Sequence, residues 1–244
     1  NFDLRNKYSQ VNNQMANRFS SIQNYAEVMG VTGENAIVDW VFVELRSKTD
    51  STEIIATRSG LVQRDGDVVD LDGVSHLRIP GVAADSFFVA IRHRNHLGAM
   101  SEIVFSGDLI DFTSLDQPIF NFGSRLNNGY NYSGLSMNEL IVPGYRALWG
   151  GDFDGDGKLK FVNPGDDQNV LFFEVFAYPE NLVNTSNYNF AYGYLQGDYN
   201  MDGKSKYDNP NDDKNYLFSQ ILLYPLNTGL LANFNFFLQQ IPKR

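Results

Sequence analysis

The chain has 244 residues, of which 43% are hydrophobic, 20% are charged and none is cysteine. The length allows one large domain or two of ordinary size, and the lack of cysteine excludes disulfides, zinc–thiolate centres, iron–sulfur clusters and thiol catalysis. A net charge of −10 disfavours nonspecific binding to nucleic acid or anionic lipid. The sequence predicts no transmembrane segment, since no apolar run reaches the length of a membrane span. Because the chain begins at Asn1 without a signal-type apolar stretch, we expect a processed product or a piece of a longer protein.

Residues 1–30 are polar and rich in Asn and Gln, and we interpret them as an N-terminal extension or linker. A loose apolar spacing predicts one amphipathic helix in this segment, through Val11, Met15, Phe19, Ile22 and Tyr25. We therefore expect one helix before the β-rich part of the chain.

Residues 31–114 consist of short β-branched and aromatic runs separated by turn signals. Several short strands at this spacing predict an antiparallel, Ig-like β-sandwich. Asp65-Gly66 is expected to form a hairpin turn, and the first run is apolar on both faces, as in a central strand. The predicted strands are 36–46, 53–63, 68–71, 87–92 and 99–105, with 109–112 as a candidate last strand.

Residues 115–150 are rich in Gly, Asn, Ser and Tyr and show little hydrophobic periodicity. We interpret them as a connector. Phe120, Phe122 and Tyr130 could still pack against neighbouring elements.

Beyond Gly150 the chain repeats itself with a period of 46 residues. Residues 151–181 and 197–227 are identical at 16 of 31 aligned positions without a gap, which indicates duplication. A C-terminal tail, 228–244, follows the second copy. The predicted fold class is therefore mainly β, with a small α module made of two repeats.

Each copy begins with the pattern D-x-[DN]-x-D-G. Oxygen side chains at loop positions 1, 3 and 5 converge on one point, and Gly at position 6 permits the sharp turn that brings in the carbonyl of position 7. Because Ca²⁺ takes six to eight such oxygen ligands, we predict two Ca²⁺ sites. The predicted ligands are Asp152, Asp154, Asp156, the carbonyl of Lys158 and Asp167 in the first copy, and Asp198, Asn200, Asp202, the carbonyl of Lys204 and Asp213 in the second.

The loops depart from a standard EF-hand at position 12, where Asn163 and Asn209 stand in place of a bidentate acid. A pair of adjacent acids follows a few residues later in each copy. We therefore expect an extended loop that is closed by the second acid of each pair, Asp167 or Asp213.

The first acid of each pair, Asp166 or Asp212, is expected to cap the helix that follows, because an acid at a helix start is favourable for both capping and the helix dipole. The helices are predicted over 168–178 and 214–224, and a proline ends each of them. Their predicted core positions are Leu171, Val175, Leu217 and Ile221.

The duplicated loop and helix resembles the tandem calcium-binding halves of dockerins, although the loops here are longer. A second resemblance is carried by five blocks of sequence: AIVDWVFVELR at 36–46, ATRSGLVQRDGDVVDLDG at 56–73, VAIRHRNHLGAMS at 89–101, ALWGGDFDGDGK at 147–158 and QGDYNMDGK at 196–204. With these blocks, residues 31–244 look like the C-terminal region of large secreted surface proteins of Bacteroidota-type bacteria. That resemblance implies an extracellular or cell-surface location, reached by type IX secretion, and no established enzymatic activity.

We therefore expect a non-catalytic, calcium-stabilised structural, adhesion or assembly module, with other protein subunits or cell-surface components as partners. One alternative is a carbohydrate-binding module, because tyrosines in Asn- and Gly-rich stretches could stack on polysaccharide. Another is a subunit of a homopolymeric filament or layer, in which residues 1–30 add to the sheet edge of a neighbour. The tyrosines considered are Tyr130, Tyr132, Tyr188, Tyr192 and Tyr194.

Two other polar clusters have simpler explanations than ligand chemistry. The acids from Asp65 to Asp72 could form a third cation site, but hairpin and edge turns account for them. His93 and His96 are expected to have a structural role at a strand end rather than to bind metal or act in catalysis. No G-x-S-x-G, H-E-x-x-H or cysteine-based pattern is present, so the sequence predicts no enzyme.

Overall fold

The structure is a computed structural model that describes residues 25–162 and 164–243. Residues 1–24, which carry most of the predicted N-terminal helix, and Asn163 lie outside these ranges. The described chain is mainly antiparallel β-sheet with three helices. The strands are β1 (Ile37–Ser47), β2 (Ile54–Gln63), β3 (Val68–Val69), β4 (Ser86–His93), β5 (His96–Met100), β6 (Val104–Phe105), β7 (Asn138–Glu139) and β8 (Arg146–Ala147), and the helices are α1 (Tyr25–Gly30), α2 (Asp167–Phe176) and α3 (Asp213–Leu223).

The β1 strand is central in a six-stranded sheet with the order β3-β2-β1-β4-β5, in which β6 also pairs with β4. It pairs antiparallel with both neighbours, so that Val43 lies opposite Arg58 on β2 and opposite Ile91 on β4. Alternate side chains of a strand point to opposite faces, and Val41, Val43 and Val89 share one buried apolar cluster. The predicted central position of this strand is confirmed.

Irregular segments of chain cover both faces of the sheet. Leu77 and Ile110 pack with the valine cluster on one face, while Phe120 and Ile241 pack on Phe88 on the other. All strands between residues 37 and 105 belong to this one sheet. The two-sheet, Ig-like sandwich is therefore not seen in the part of the chain that the structure describes.

Two local predictions in this half have opposite outcomes. The hairpin between β2 and β3 turns at Asp65-Gly66 as predicted, and Gly66 has φ +100°, which a residue without Cβ adopts freely. The prediction of a strand at 109–112 is wrong, because the chain forms a loop there. Asp111 accepts hydrogen bonds from the N–H and hydroxyl of Thr113, at 2.9 and 2.6 Å, and this local turn competes with strand pairing.

The segments that flank the sheet pack closely against it. Val28 of α1 lies in a buried cluster with Ile37 and Leu61, so residues 25–30 belong to the packing of the sheet. The connector also pairs with the sheet, since the N–H of Leu97 donates to the carbonyl of Trp149 at 2.8 Å. Trp149 then reaches the core of the repeats, and the two halves of the chain share one buried cluster.

Each repeat consists of an irregular loop and one helix, and the helices begin one residue before their predicted starts. The predicted caps are confirmed, because Asp166 accepts the N–H of Asn169 at 2.7 Å and Asp212 accepts the N–H of Asn215 at 2.6 Å. The predicted core positions are also confirmed, since none is exposed to solvent: Leu171, Val175, Leu217 and Ile221.

The two copies are packed against each other with approximate two-fold symmetry. Phe161 in the first loop contacts Phe218 on α3, with ring centroids 4.5 Å apart. The residues 46 positions away from this pair, Tyr207 in the second loop and Phe172 on α2, lie 5.1 Å apart. Each helix therefore packs on the loop of the other copy.

Short β-bridges continue the same symmetry. Lys204 in the second loop pairs with Tyr192, and Lys158 in the first loop pairs with Leu238, 46 residues after Tyr192. The sequences before these partners also match, with NYNF at 187–190 and NFNF at 233–236. The C-terminal tail is thus a continuation of the second repeat that packs on the loop of the first.

Candidate metal centres

Three carboxylates meet in the first loop. Single oxygens of Asp152, Asp154 and Asp167 all lie within 4.8 Å of one another. Asp152 and Asp167 are buried, at 4% and 1% exposure. The Oδ1 atoms of Asp152 and Asp156 are buried and have no hydrogen-bond partner. Buried polar atoms are almost always paired, so these two oxygens are candidate ligands for a cation.

The sequence pattern explains how the first loop coils. The N–H of Gly157 donates to Asp152 Oδ2 at 3.2 Å, and the N–H of Asp156 donates to Asp154 Oδ1 at 3.0 Å. Gly157 has φ +79°, a conformation that side chains with a Cβ rarely adopt. The short Asp side chains therefore fold the backbone inwards while their remaining oxygens face a common centre.

Asp167 closes this loop from the start of α2. Its Oδ1 accepts the N–H of Phe153 at 2.8 Å, and its Oδ2 accepts the N–H of Lys160 at 2.9 Å. Each carboxylate oxygen has a second lone pair, so these hydrogen bonds leave capacity for a cation. The structure thus places the predicted closing acid beside Asp152, 15 residues earlier in the chain.

The second loop has the same backbone plan with more of its oxygens paired. Asp213 accepts the N–H groups of Tyr199 and Lys206, both at 2.8 Å. Asp198 accepts hydrogen bonds at both oxygens, from the N–H groups of Asp202 and Gly203 at 3.0 Å. Among the described residues, a three-acid cluster at ligand distance is found in the first loop and not in the second, where Asn200 replaces an acid.

The backbone at position 7 of each loop pairs with a segment outside the loop. Lys158 lies opposite Leu238, and Lys204 lies opposite Tyr192, while the residues that flank the lysines make the bridge hydrogen bonds. In such an antiparallel pair the N–H and C=O of the central residue point away from the partner strand. The N–H of Lys204 accordingly donates to Asp202 Oδ1 at 3.1 Å, within the loop. The bridge geometry turns the backbone groups of Lys158 and Lys204 away from the paired segments, as carbonyl ligands of the loops would require.

Burial raises the pKa values of the central acids, because a charged carboxylate loses hydration inside the protein. The pKa of Asp152 is raised to about 7 by burial and by the nearby Asp156 and Asp154. The pKa of Asp167 rises to about 8 through burial and the charge of Asp152. In the second loop, burial raises the pKa of Asp198 to about 6 and, with the charge of Asp198, the pKa of Asp213 to about 8.

A lysine four residues after position 5 neutralises part of each loop, and sequence reasoning did not identify it. Lys160 Nζ lies 2.6 Å from Asp156 Oδ2, and Lys206 Nζ lies 2.9 Å from Asp202 Oδ2. The sequence signal that could have identified them is that both copies carry a lysine at this position. In the second loop, Arg94 Nη2 also lies 3.9 Å from Asp198 Oδ2. This additional positive charge gives the second loop a smaller net negative charge than the first.

The turn between β4 and β5 connects both loops, which the sequence also did not indicate. The carbonyl of Asn95 accepts the N–H groups of Gly151 and Asp152, at 2.9 and 3.1 Å. Its side-chain amide donates to the carbonyls of Gln196 and Asp198, at 2.8 and 2.7 Å. One buried residue of the sheet therefore holds the first turn of each loop in place.

The histidines beside this turn make contacts within the protein. His93 Nε2 lies 3.0 Å from Asp39 Oδ2, and the hydroxyl of Tyr194 donates to Asp39 Oδ1 at 2.7 Å. Burial alone would raise the pKa of Asp39, but His93 and Arg94 outweigh it and lower the pKa. Burial lowers the pKa of His96 to about 3, so this imidazole is neutral at physiological pH.

Three of the tyrosines considered for sugar stacking are used in internal packing. Tyr132 is fully buried, and its hydroxyl donates to the carbonyl of Phe236 at 3.1 Å. Tyr130 packs on Phe236, with ring centroids 4.9 Å apart. Tyr194 binds Asp39 as described above.

The acids of the candidate third cation site act in turns, since Asp72 Oδ1 accepts two backbone N–H groups at 2.9 and 2.8 Å.

A cleft of about 390 Å³ lies between the sheet and the first loop. Arg46 and Arg92, which line it, both donate to Glu44, at 2.7 and 2.8 Å. Arg46 also donates to the carbonyl of Pro242 at 2.9 Å, which ties the C-terminal segment to the sheet. Three of the charged groups that line this cleft, Glu44, Arg46 and Arg92, therefore pair with one another.

No described helix has the length and apolar character needed to cross a membrane. Comparison of the chain with protein-family models, with curated proteins and with solved structures found no match.

Proposed function

We propose that residues 151–239 form a calcium-binding module that stabilises a non-catalytic extracellular or cell-surface protein. The observation that carries the proposal is the buried, unpartnered Oδ1 of Asp152, whose carboxylate faces those of Asp154 and Asp167. A cation at this point would be coordinated by Asp152 Oδ1, which accepts no hydrogen bond from the chain. The second loop is included because it repeats the same pattern 46 residues later.

Calcium fits the donor set better than softer metals. The candidate ligands are carboxylate, amide and backbone carbonyl oxygens, which hard cations prefer, and the coiled loop supplies them at alternate positions. The ligands would be Asp152, Asp154, Asp156, the Lys158 carbonyl and Asp167 at one site, and Asp198, Asn200, Asp202, the Lys204 carbonyl and Asp213 at the other.

The position of the loops supports a structural, adhesion or assembly role. Asn95 binds the first turn of each loop at the junction between the sheet and the repeats. An ion that binds the folded loops more tightly than the unfolded chain stabilises the folded state, by about 2.7 kcal/mol at 100 times its Kd. In a protein without disulfides, ions at this junction would hold the two halves together. Extracellular calcium modules commonly work with Kd values of about 10⁻⁴–10⁻³ M.

Thermal unfolding in Ca²⁺ and in EGTA tests the proposal. We expect EGTA to lower the Tm by roughly 5–10 °C for each ion lost, since about 1 kcal/mol corresponds to about 2–4 °C for a chain of this size. Asp156→Ala and Asp202→Ala should each reproduce part of this loss in Ca²⁺. Asp116→Ala, at an exposed acid outside the loops, is the matched control and should leave the response to Ca²⁺ unchanged. A melting curve that is identical with and without EGTA would contradict the proposal.

A further inference from the structure

We propose that Tyr178, Tyr188 and Phe190 of the first repeat form a docking surface for an extended polypeptide segment that presents tyrosine side chains. We call these three residues the first aromatic face. The proposal is independent of calcium binding. It rests on the two-fold relation between the repeats, because the equivalent face of the second repeat is already covered by a segment of this kind.

The two faces have the same arrangement of rings. In the first repeat the centroids of Tyr178 and Tyr188 are 5.8 Å apart, and those of Tyr188 and Phe190 are also 5.8 Å apart. In the second repeat the corresponding distances are 6.0 and 5.9 Å. The residues of this second aromatic face, each 46 positions later, are Tyr224, Phe234 and Phe236.

The connector of the same chain covers the second aromatic face. The ring of Tyr130 lies 5.6 Å from Phe234 and 4.9 Å from Phe236. Trp149 lies 5.7 Å from Tyr224, and the buried Tyr132 donates its hydroxyl to the carbonyl of Phe236. The segment that supplies the two tyrosines reads Asn-Gly-Tyr-Asn-Tyr at 128–132.

Solvent exposure differs between the two faces, and Phe237 contributes to this difference because it stacks on Tyr224 with ring centroids 3.7 Å apart. Tyr224 and Phe234 are buried, whereas their counterparts Tyr178 and Tyr188 are half-buried. Phe190 is 60% exposed, against 39% for Phe236. A set of contacting aromatic rings at the surface has the composition found at the centres of protein interfaces.

The second face also indicates what the occupant must provide. Tyrosines give large, rigid contact areas at a low cost in side-chain entropy, and aromatic pairs prefer the tilted and edge contacts that Tyr130 makes. The carbonyl of Phe190 already accepts the N–H of Tyr192 at 2.9 Å. This carbonyl has a second lone pair, so a tyrosine hydroxyl of the occupant can still donate to it, as Tyr132 does to Phe236, in addition to the ring contacts.

A peptide with the sequence of residues 126–134, LNNGYNYSG, is the probe for this site. We expect it to cause saturable NMR shift changes at residues 178–192 of the full chain, at peptide concentrations up to millimolar. Phe190→Ser should weaken the binding at least roughly threefold. Leu223→Ser, at an exposed apolar residue of the second repeat, is the matched control and should bind as the unchanged chain does.

A peptide in which both tyrosines are replaced by serine should cause no shifts at the first aromatic face. The proposal would be overturned if the tyrosine peptide gave no shifts at residues 178–192, or gave equal shifts with the serine peptide. It would also be overturned if cello- or xylo-oligosaccharides shifted the same residues and the tyrosine peptide did not. Because the wild-type spectrum maps the site, the test does not depend on the folding of any variant.

Discussion

At the scale of single residues, the two carboxylate oxygens of Asp152 have different surroundings, and this difference affects the stability of the fold. Its Oδ2 accepts the N–H of Gly157, while its Oδ1 is buried and receives no donor from the protein. A buried carboxylate oxygen without a partner is costly, and two further acids lie close to it. A proton or a bound cation would each lower this cost, which agrees with the raised pKa of Asp152.

Asp152→Asn should weaken calcium binding without destabilising the calcium-free protein. In Ca²⁺ we expect the affinity of the first site to fall at least roughly tenfold, which is about 1.4 kcal/mol, because a charged ligand is lost. In chelator at about pH 8 we expect the variant to be as stable as the unchanged chain or more stable, because the repulsion with Asp154 and Asp167 is removed. Isothermal titration calorimetry and urea unfolding measure the two effects. Equal destabilisation in both conditions would instead indicate that Asp152 has only a packing role.

At the scale of elements, the two helices depend on acids that lie just before them. Asp166 and Asp212 have extended backbones and accept N–H groups of the first helical turn. The next acid in each case, Asp167 or Asp213, turns inwards to the loop. Adjacent acids thus have different tasks, one in the helix and one in the candidate ion site.

Asp166→Ala and Asp212→Ala should each lower the free energy of unfolding by about 1 kcal/mol, the usual effect of losing an N-cap. Because the cap acts on the helix, the loss should be similar in Ca²⁺ and in EGTA. Urea unfolding of both variants under both conditions measures it. A loss seen in Ca²⁺ alone would show that these acids act through the ion rather than through the helix.

The contact between each helix and the loop of the other copy requires glycine at the loop start. A Cβ on Gly197 would lie 2.5 Å from Leu171 Cδ1, and a Cβ on Gly151 would lie 2.7 Å from Leu217 Cδ1. Both distances are much shorter than a normal carbon–carbon contact. Packing between copies therefore explains Gly197, while Gly151 also has φ +117°, a conformation that favours glycine.

Gly197→Ala should destabilise the protein by about 1–3 kcal/mol, the usual cost of forcing an extra carbon into a packed site. Gly197 does not have a positive φ, so the effect would come from the contact with α2 and not from backbone strain. Gly30→Ala, where a Cβ would meet nothing within 4 Å, is the control. Thermal unfolding of both variants checks this, and equal Tm values would contradict the packing explanation.

At the scale of the whole molecule, two sets of acids give the stability opposite dependences on pH. Burial raises the folded-state pKa values of Asp152, Asp167 and Asp213 to about 7, 8 and 8, from 3.8. Their contribution to stability is complete below about pH 4 and is lost as the pH rises to about 8. Partners that outweigh burial lower the pKa values of Asp39 and Glu44, so their contribution is present above about pH 4 and lost below it.

We therefore expect the calcium-free protein to be less stable at about pH 8 than at about pH 5.5, where the buried loop acids are protonated. Added Ca²⁺ should stabilise the protein more at about pH 8, because binding requires the ionised carboxylates and displaces their protons. Urea unfolding of calcium-free and calcium-saturated protein at both pH values measures this. A calcium effect that is larger at the lower pH would contradict the assignment of these acids to the site.

The sequence by itself determined the repeat, the acids of the loops, the caps and the apolar positions of the helices. Each of these depends on residues that are close in the chain, such as Asp166 with Asn169. The strand positions followed from periodicity in the same way, but 109–112 did not, because the turn at Asp111 outweighs it.

Only the tertiary structure decided how the parts meet. The tail pairs with the first loop, Asn95 binds both loops and Tyr130 covers one aromatic face. These arrangements depend on contacts between residues about 55–105 positions apart. Composition and spacing do not encode such pairings, because many apolar and polar surfaces of one chain are compatible with each other. The packing of the two copies selects among them, and it leaves one oxygen of Asp152 without a donor and the ring of Phe190 in solvent.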